Sequence, residues 1–215
     1  DGETSLWEPF SSRQQGLYRV SRALYKSVHG TTVVFEEVNH DLRLVFRYSW
    51  STSERFGFVR RSELRNAAGS AVSVELLDGI QNVLPALVTR RFQLEYSTLV
   101  DGYKRIELAE RTSIALFRLS SVPVDNAEPS EALRVNTAWA CGLDSFDVLL
   151  STVQCDAFRR GEGVLPETDV RGRRGAYLVS TSMVLEPGER RDWLLAADVA
   201  KDAAAVRALM RDVGE

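Results

Sequence analysis

Alternation of apolar and polar positions with period two runs through most of the chain. In Asp41 to Tyr48, apolar residues fall at Leu42, Leu44, Phe46 and Tyr48 while Asp41, Arg43 and Arg47 lie among the opposite set, which predicts a strand with one wet face and one buried face. Val72, Val74 and Leu76 alternate with Ser73 and Glu75 in the same way. Between them, Phe56 to Leu64 reads as a strand and Asn66 to Ser70 as a polar turn, so the two flanking strands are expected to form an antiparallel hairpin. Further strands are expected over Thr31–Glu36, Ser113–Leu119, Leu133–Ala140, Val148–Val153 and Tyr177–Leu185. The turn Glu186-Pro187-Gly188-Glu189 suits a tight link from that last strand to another over Arg191–Ala197.

Two stretches break the rhythm. From Asp202 onward, Val206, Leu209, Met210 and Val213 recur at helical spacing, with Asp202 or Asp198 as the N-cap and Gly214 as the stop. Leu76 to Leu84 mixes an apolar stripe with Gly79, Asn82 and the following Pro85, and reads as a strand end followed by a turn or short helical loop. Val122–Ser130 and Gly161–Gly175 are rich in turn residues and are expected to be long loops. No repeat or low-complexity tract occurs. The fold class that follows is all-β, an antiparallel sandwich over residues 1–198 with a C-terminal linker-type helix over 199–215 packed on it.

Composition narrows the function more than it names it. The 215 residues are 44% hydrophobic and 27% charged, enough for a core, and 27 basic against 30 acidic residues leave a net charge of −3. No basic excess favours a nucleic-acid partner, and the Arg90-Arg91, Arg159-Arg160 and Arg171 to Arg174 runs sit among acids or turn residues. No stretch reaches the about 18 apolar residues that span a bilayer, so no membrane partner is expected and a cytoplasmic setting is. The first residue is Asp1 and no leader-like segment opens the chain, which fits a domain taken from a longer protein. Cys141 and Cys155 stand outside any CxxC or Cys/His cluster and are expected to be reduced thiols, the alternative being one disulfide. With His29 and His40 they make too small a ligand set for zinc, and no cofactor is expected.

Candidate chemistry is sparse. Gly161-Glu162-Gly163 lacks the later glycine of a dinucleotide fingerprint and reads as a turn. His29 and His40 sit at turns, with no nucleophile elbow in the chain, and read as solvated. Glu36-Glu37, Asp144 with Asp147, Asp78, Asp101 and Glu128 with Glu131 offer carboxylates of the kind glycosidases place roughly 5–10 Å apart, but acids alternating with apolar residues are more simply a wet strand face. Trp139 and Trp193 lie inside apolar strand patterns and are expected in the core. Trp7 and Trp50 lie in loop-like settings with polar neighbours. They are the candidate carbohydrate contacts, with packing in the core or between domains as the competing role.

The order of features from Trp7 to Val199 resembles the N-terminal β-sandwich of cellobiose-phosphorylase-like proteins, a galactose-mutarotase-like supersandwich. The residues that carry the resemblance are Tyr18 to Phe35 leading into Glu36, Arg60 to Asn66 followed by Val72 to Leu77, and Leu185 to Glu189 leading into a strand and a helix. The resemblance implies a non-catalytic module of a glycoside phosphorylase or hydrolase. Its catalytic acid would belong to a catalytic domain of the same polypeptide, so no catalytic residue carries over. Leu76–Pro85 and Ser120–Glu131 depart from the phosphorylase pattern. A stand-alone aldose-mutarotase-like epimerase, which would need His29 or His40 as an acid, is the alternative, and a plain carbohydrate-binding sandwich is a third. The expected partners are the catalytic domain, an oligosaccharide and a second copy of the chain as a homodimer.

Overall fold

The computed structural model describes residues 4–121 and 133–213. Twelve strands form two antiparallel sheets that pack face to face, and four helices decorate them. The strands are β1 (Val20–Lys26), β2 (Val33–Asn39), β3 (Leu44–Ser53), β4 (Gly57–Asn66), β5 (Val72–Val83), β6 (Lys104–Leu108), β7 (Ala115–Leu119), β8 (Val135–Cys141), β9 (Asp147–Leu149), β10 (Asp169–Arg171), β11 (Gly175–Leu185) and β12 (Arg190–Lys201). The helices are α1 (Arg90–Glu95), α2 (Ser97–Tyr103), α3 (Cys155–Arg159) and α4 (Ala203–Val213). The larger sheet has nine strands in the order β1-β2-β3-β4-β12-β8-β7-β6-β10, and the smaller has three in the order β5-β11-β9. The chain is therefore an all-β sandwich with a C-terminal helix.

Alternation places the core. Phe46, Leu64, Phe117, Trp193 and Leu195 project from the inner face of the large sheet onto Val179, Tyr177 and Leu185 of the small one. Trp193 and Tyr177 are essentially fully buried. Trp139 faces outward from β8, yet it too is buried, because Leu209, Met210 and Val213 of α4 cover it together with Phe56. The Phe56 and Trp139 rings meet edge to face with centroids 5.5 Å apart. Asp202 caps α4 by accepting the Ala205 amide at 2.9 Å.

Two expected hairpins are instead crossings between sheets. β4 pairs with β3 and β12 and never with β5, and β11 pairs with β5 and β9 and never with β12. The 66–70 and 186–189 turns thus carry the chain from one sheet to the other at the same corner. Asn66 joins them. Its buried amide donates to Ser70 O at 2.8 Å, Leu185 O at 3.0 Å and Glu186 O at 3.2 Å, and its Oδ1 accepts from Ala68 N at 2.8 Å. Asn66→Ala takes this donor from all three carbonyls, of which Glu186 O keeps the Glu189 amide at 2.9 Å, and an expected loss of about 2–3 kcal/mol would be read as a lower urea midpoint.

Other boundaries moved for local reasons. β3 starts at Leu44 because Arg43 takes a left-handed φ of 53° in the preceding turn. The stretch expected to leave the strand after Leu76 continues as β5 to Val83. Gly79 is no breaker there: a Cβ would lie 2.1 Å from Tyr177 O, so the close approach of β11 requires glycine. The strand expected over Val148–Val153 ends at Leu149, because the Glu167 carboxylate accepts the Leu150 and Ser151 amides, each at 2.8 Å, in place of a neighbouring strand. β1, β6, β10, α1, α2 and α3 were not expected at all. β10 lies inside the expected 161–175 loop, and the 122–130 loop falls outside the described residues, as do Glu128 and Glu131.

One polar group bridges the two sheets through the core. Asp78 on β5 accepts from Arg60 Nη1 at 2.9 Å, Trp193 Nε1 at 2.7 Å and Ser62 Oγ at 3.2 Å, all three on the large sheet. Arg60 also donates to Gly79 O at 3.0 Å and lies over the Tyr48 ring at 4.5 Å.

Candidate functional site

The most site-like surface lies where the N-terminal segment meets the inner face of β1 and β2. Antiparallel register sets Arg22 opposite Glu37, and Arg22 Nε donates to Glu37 Oε2 at 2.6 Å. The Glu37 side chain is only 2% exposed. It also accepts from Trp7 Nε1 at 2.8 Å and from the Phe10 amide at 2.8 Å, so one carboxylate fastens the segment to the sheet. Phe10 then lodges edge-on against Tyr48 at 5.4 Å and Phe35 at 6.3 Å, while Phe35 and Tyr48 stack at 4.7 Å. From the other side Arg159 of α3 grips Glu8 at 3.0 and 3.2 Å.

A cleft of about 380 Å³ remains, walled by Trp7 and Tyr18 and edged by Ser12, Gln15, Arg22 and Glu8. Several polar groups here are already spoken for. The Gln14 amide bonds both Glu8 N and Leu6 O, and the Tyr18 hydroxyl donates to Leu6 O. The Ser12 hydroxyl and the Gln15 amide have no partner among the described residues, and Arg22 uses Nε and Nη2 while its Nη1 has none. An aromatic wall with free hydroxyl, amide and guanidinium groups can stack on an apolar ring face and hydrogen-bond the groups at its rim.

The two candidate tryptophans are not brought together. Trp7 lines the cleft with its indole N–H already on Glu37. Trp50 lies half-buried on the same inner face of the large sheet, opposite Val33 and Arg60 in the ladders. Phe46, four residues earlier on β3, is opposite Glu37, so Trp50 sits about 13 Å further along the strand at the usual rise per residue. Its indole N–H has no partner among the described residues.

Neither histidine reaches the cleft. His40 Nε2 lies 2.7 Å from Ser21 Oγ, on the opposite face of β1 from Arg22, and His29 is in the turn joining β1 to β2. Glu36 and Glu37 do not converge either. Successive strand residues point to opposite faces, so Glu36 bonds Arg47 and Tyr25 on the outer side. Asp144 is almost fully exposed, Asp101 holds the buried Lys104 ammonium at 2.7 Å, and Asp78 is consumed inside the sandwich. Cys141 and Cys155 are free thiols that pack in separate apolar clusters, where burial pushes both up from the usual thiol range. Among the described residues no helix is long and apolar enough to cross a membrane.

Glu37, Arg22 and Tyr18 escaped sequence reasoning as site residues. Arg22 sits in a strand whose apolar pattern is weak, and Glu37 looked like half of an acidic pair. The one usable signal was a charge at Glu37 on the face that also carries Val33 and Phe35.

No family model matches the chain, and no curated protein matches it. Among solved structures it is similar to a heparinase III with methylated lysines, with a TM-score of 0.42, 10% identity and coverage of 86% of this chain and 22% of that one. A second heparinase III structure gives 0.36, 9%, 86% and 22%. A GH36 alpha-galactosidase from Geobacillus stearothermophilus in complex with raffinose gives 0.31, 9%, 85% and 27%. These neighbours are carbohydrate-active enzymes, and the chain spans between 22% and 27% of their length.

Proposed function

We propose that this chain is a non-catalytic β-sandwich module of a larger carbohydrate-active protein, of galactose-mutarotase-like supersandwich type, and that it contacts sugar through the Trp7 cleft. The observation that carries this reading is the composition of the cleft, an indole wall beside the free groups of Ser12, Gln15 and Arg22. A pyranose presents an apolar face and a rim of hydroxyls, which suits such a lining. The resemblance of Tyr18–Glu36 and Arg60–Leu77 to the cellobiose-phosphorylase-like sandwich supports the same reading. The sandwich would then extend through the end of β12 at Lys201, three residues past the expected limit of 198, and α4 would lead toward the catalytic domain.

The epimerase alternative is less well supported, because a histidine acid and a carboxylate base must converge on one sugar and His40 points to the other face of the sheet. Titration of the 215-residue chain with mono- and disaccharides, following tryptophan fluorescence and anomer exchange together, tests both. Binding without accelerated exchange is expected. It should weaken at least tenfold in Trp7→Ala and be unchanged in Trp50→Ala. Loss in Trp50→Ala alone would move the site to the far end of β3, and accelerated exchange would make the chain an epimerase.

A further inference from the structure

The inner face of the large sheet is covered only in part. The N-terminal segment covers it around Glu37, Phe35 and Tyr48, where Trp7 and Phe10 lie. Further along the strands the face is open. Leu24 is 64% and Phe58 51% exposed, and neither they nor Val33 and Trp50 belong to any of the hydrophobic core clusters. Alternation puts all four on the side that carries Arg22, Glu37 and Phe46. An uncovered apolar patch of this kind marks a contact surface.

The patch begins where the Trp7 cleft ends. Val20 and Arg22 line the cleft, and Leu24 and Lys26 are the next residues on the same face of β1. Lys26 pairs with Val33 and Val33 with Trp50, so the track turns from β1 across β2 to the indole. From Arg22 to Lys26 it runs about 13 Å along the strand. Polar groups border it as they border the cleft. Lys26 and Thr52 are exposed, and the Lys26 ammonium, the Thr52 hydroxyl and the Trp50 indole N–H have no partner among the described residues.

We propose that the ligand is an extended oligosaccharide, longer than a disaccharide, that starts in the Trp7 cleft, follows β1 past Leu24 and stacks a later ring on Trp50. This rests on the reading of the cleft as a sugar site. Continuity and composition select a sugar chain as the occupant. Each further ring brings an apolar face for Leu24 or Trp50, and hydroxyls that accept from Lys26 and the indole N–H. A disaccharide fills the cleft and falls short of Trp50.

Calorimetric titration of the 215-residue chain with the cello- and malto-oligosaccharide series, from disaccharide to hexasaccharide, tests this. Affinity is expected to rise about tenfold or more with length, as one more ring face leaves water. Trp50→Ala should remove that rise and leave disaccharide binding unchanged, which also reports that the variant is folded. Trp7→Ala should weaken every length. In proton–nitrogen spectra of the unaltered chain, the disaccharide should move the Trp7 indole signal and the hexasaccharide those of Trp7 and Trp50, while the buried Trp139 and Trp193 stay still. Disaccharide binding that gains nothing with length, or a gain that survives Trp50→Ala with an unmoved Trp50 signal, overturns this inference and leaves the cleft reading standing. The open patch would then fall to a protein surface. No binding at any length in either series overturns both.

Discussion

Asp78→Ala should cost about 3–5 kcal/mol of folding stability, because it strands the Arg60 charge inside the sandwich. The Arg60 side chain is 8% exposed and that of Asp78 11%, so water cannot replace the lost partner. Arg60 Nε already has no hydrogen-bond partner in the intact protein, which leaves little slack. The Trp193 indole and the Ser62 hydroxyl lose their acceptor in the same step. With a urea dependence of about 2–3 kcal/mol per molar, the midpoint should fall by about 1–2.5 M. Against a total stability of about 5–15 kcal/mol, such a chain is close to unfolding. Replacing both members, Arg60→Met with Asp78→Leu, should recover most of the loss, since neither buried charge remains. A single variant as stable as the parent would mean that the Arg60 charge finds another partner or reaches water.

Glu37→Ala should release the N-terminal segment while leaving the sandwich folded. The three groups on Glu37 are all donors: the Trp7 indole, the Phe10 amide and the Arg22 guanidinium. Only a carboxylate can accept from all of them, so Glu37→Gln should also weaken the anchor by turning an amide N–H toward a donor. Arg22 is half exposed and its charge returns to water, which limits the cost to about 2–3 kcal/mol, most of it local. That corresponds to an opening of the segment about 30- to 150-fold more frequent, read as faster trypsin cleavage after Arg13 and a red-shifted Trp7 emission. Because Trp7 forms a wall of the cleft, any sugar binding there should fall in parallel. Unchanged cleavage would mean that Phe10 packing and the Glu8–Arg159 pair hold the segment without Glu37.

The sequence by itself determined the fold class, nine of the twelve described strands in outline, the C-terminal helix and the burial of Trp139 and Trp193. Each is a local property: alternation marks a strand with a dry face, and apolar residues three and four apart mark a helix with one. Which strands become neighbours was left to tertiary structure. Asn66 and Gly188 look like hairpin turns from their own residues, and only the distant β4–β12 ladder makes them crossings between sheets. β1, β6 and β10 hold their place through partners rather than through a strong pattern of their own. The site is the extreme case. Trp7 lies 30 positions from Glu37, Glu8 lies 151 from Arg159, and Asp78 lies 115 from Trp193. A charge reads as solvent-facing until the chain folds back to supply its counterpart, so those pairs were decided only when packing brought the strands together.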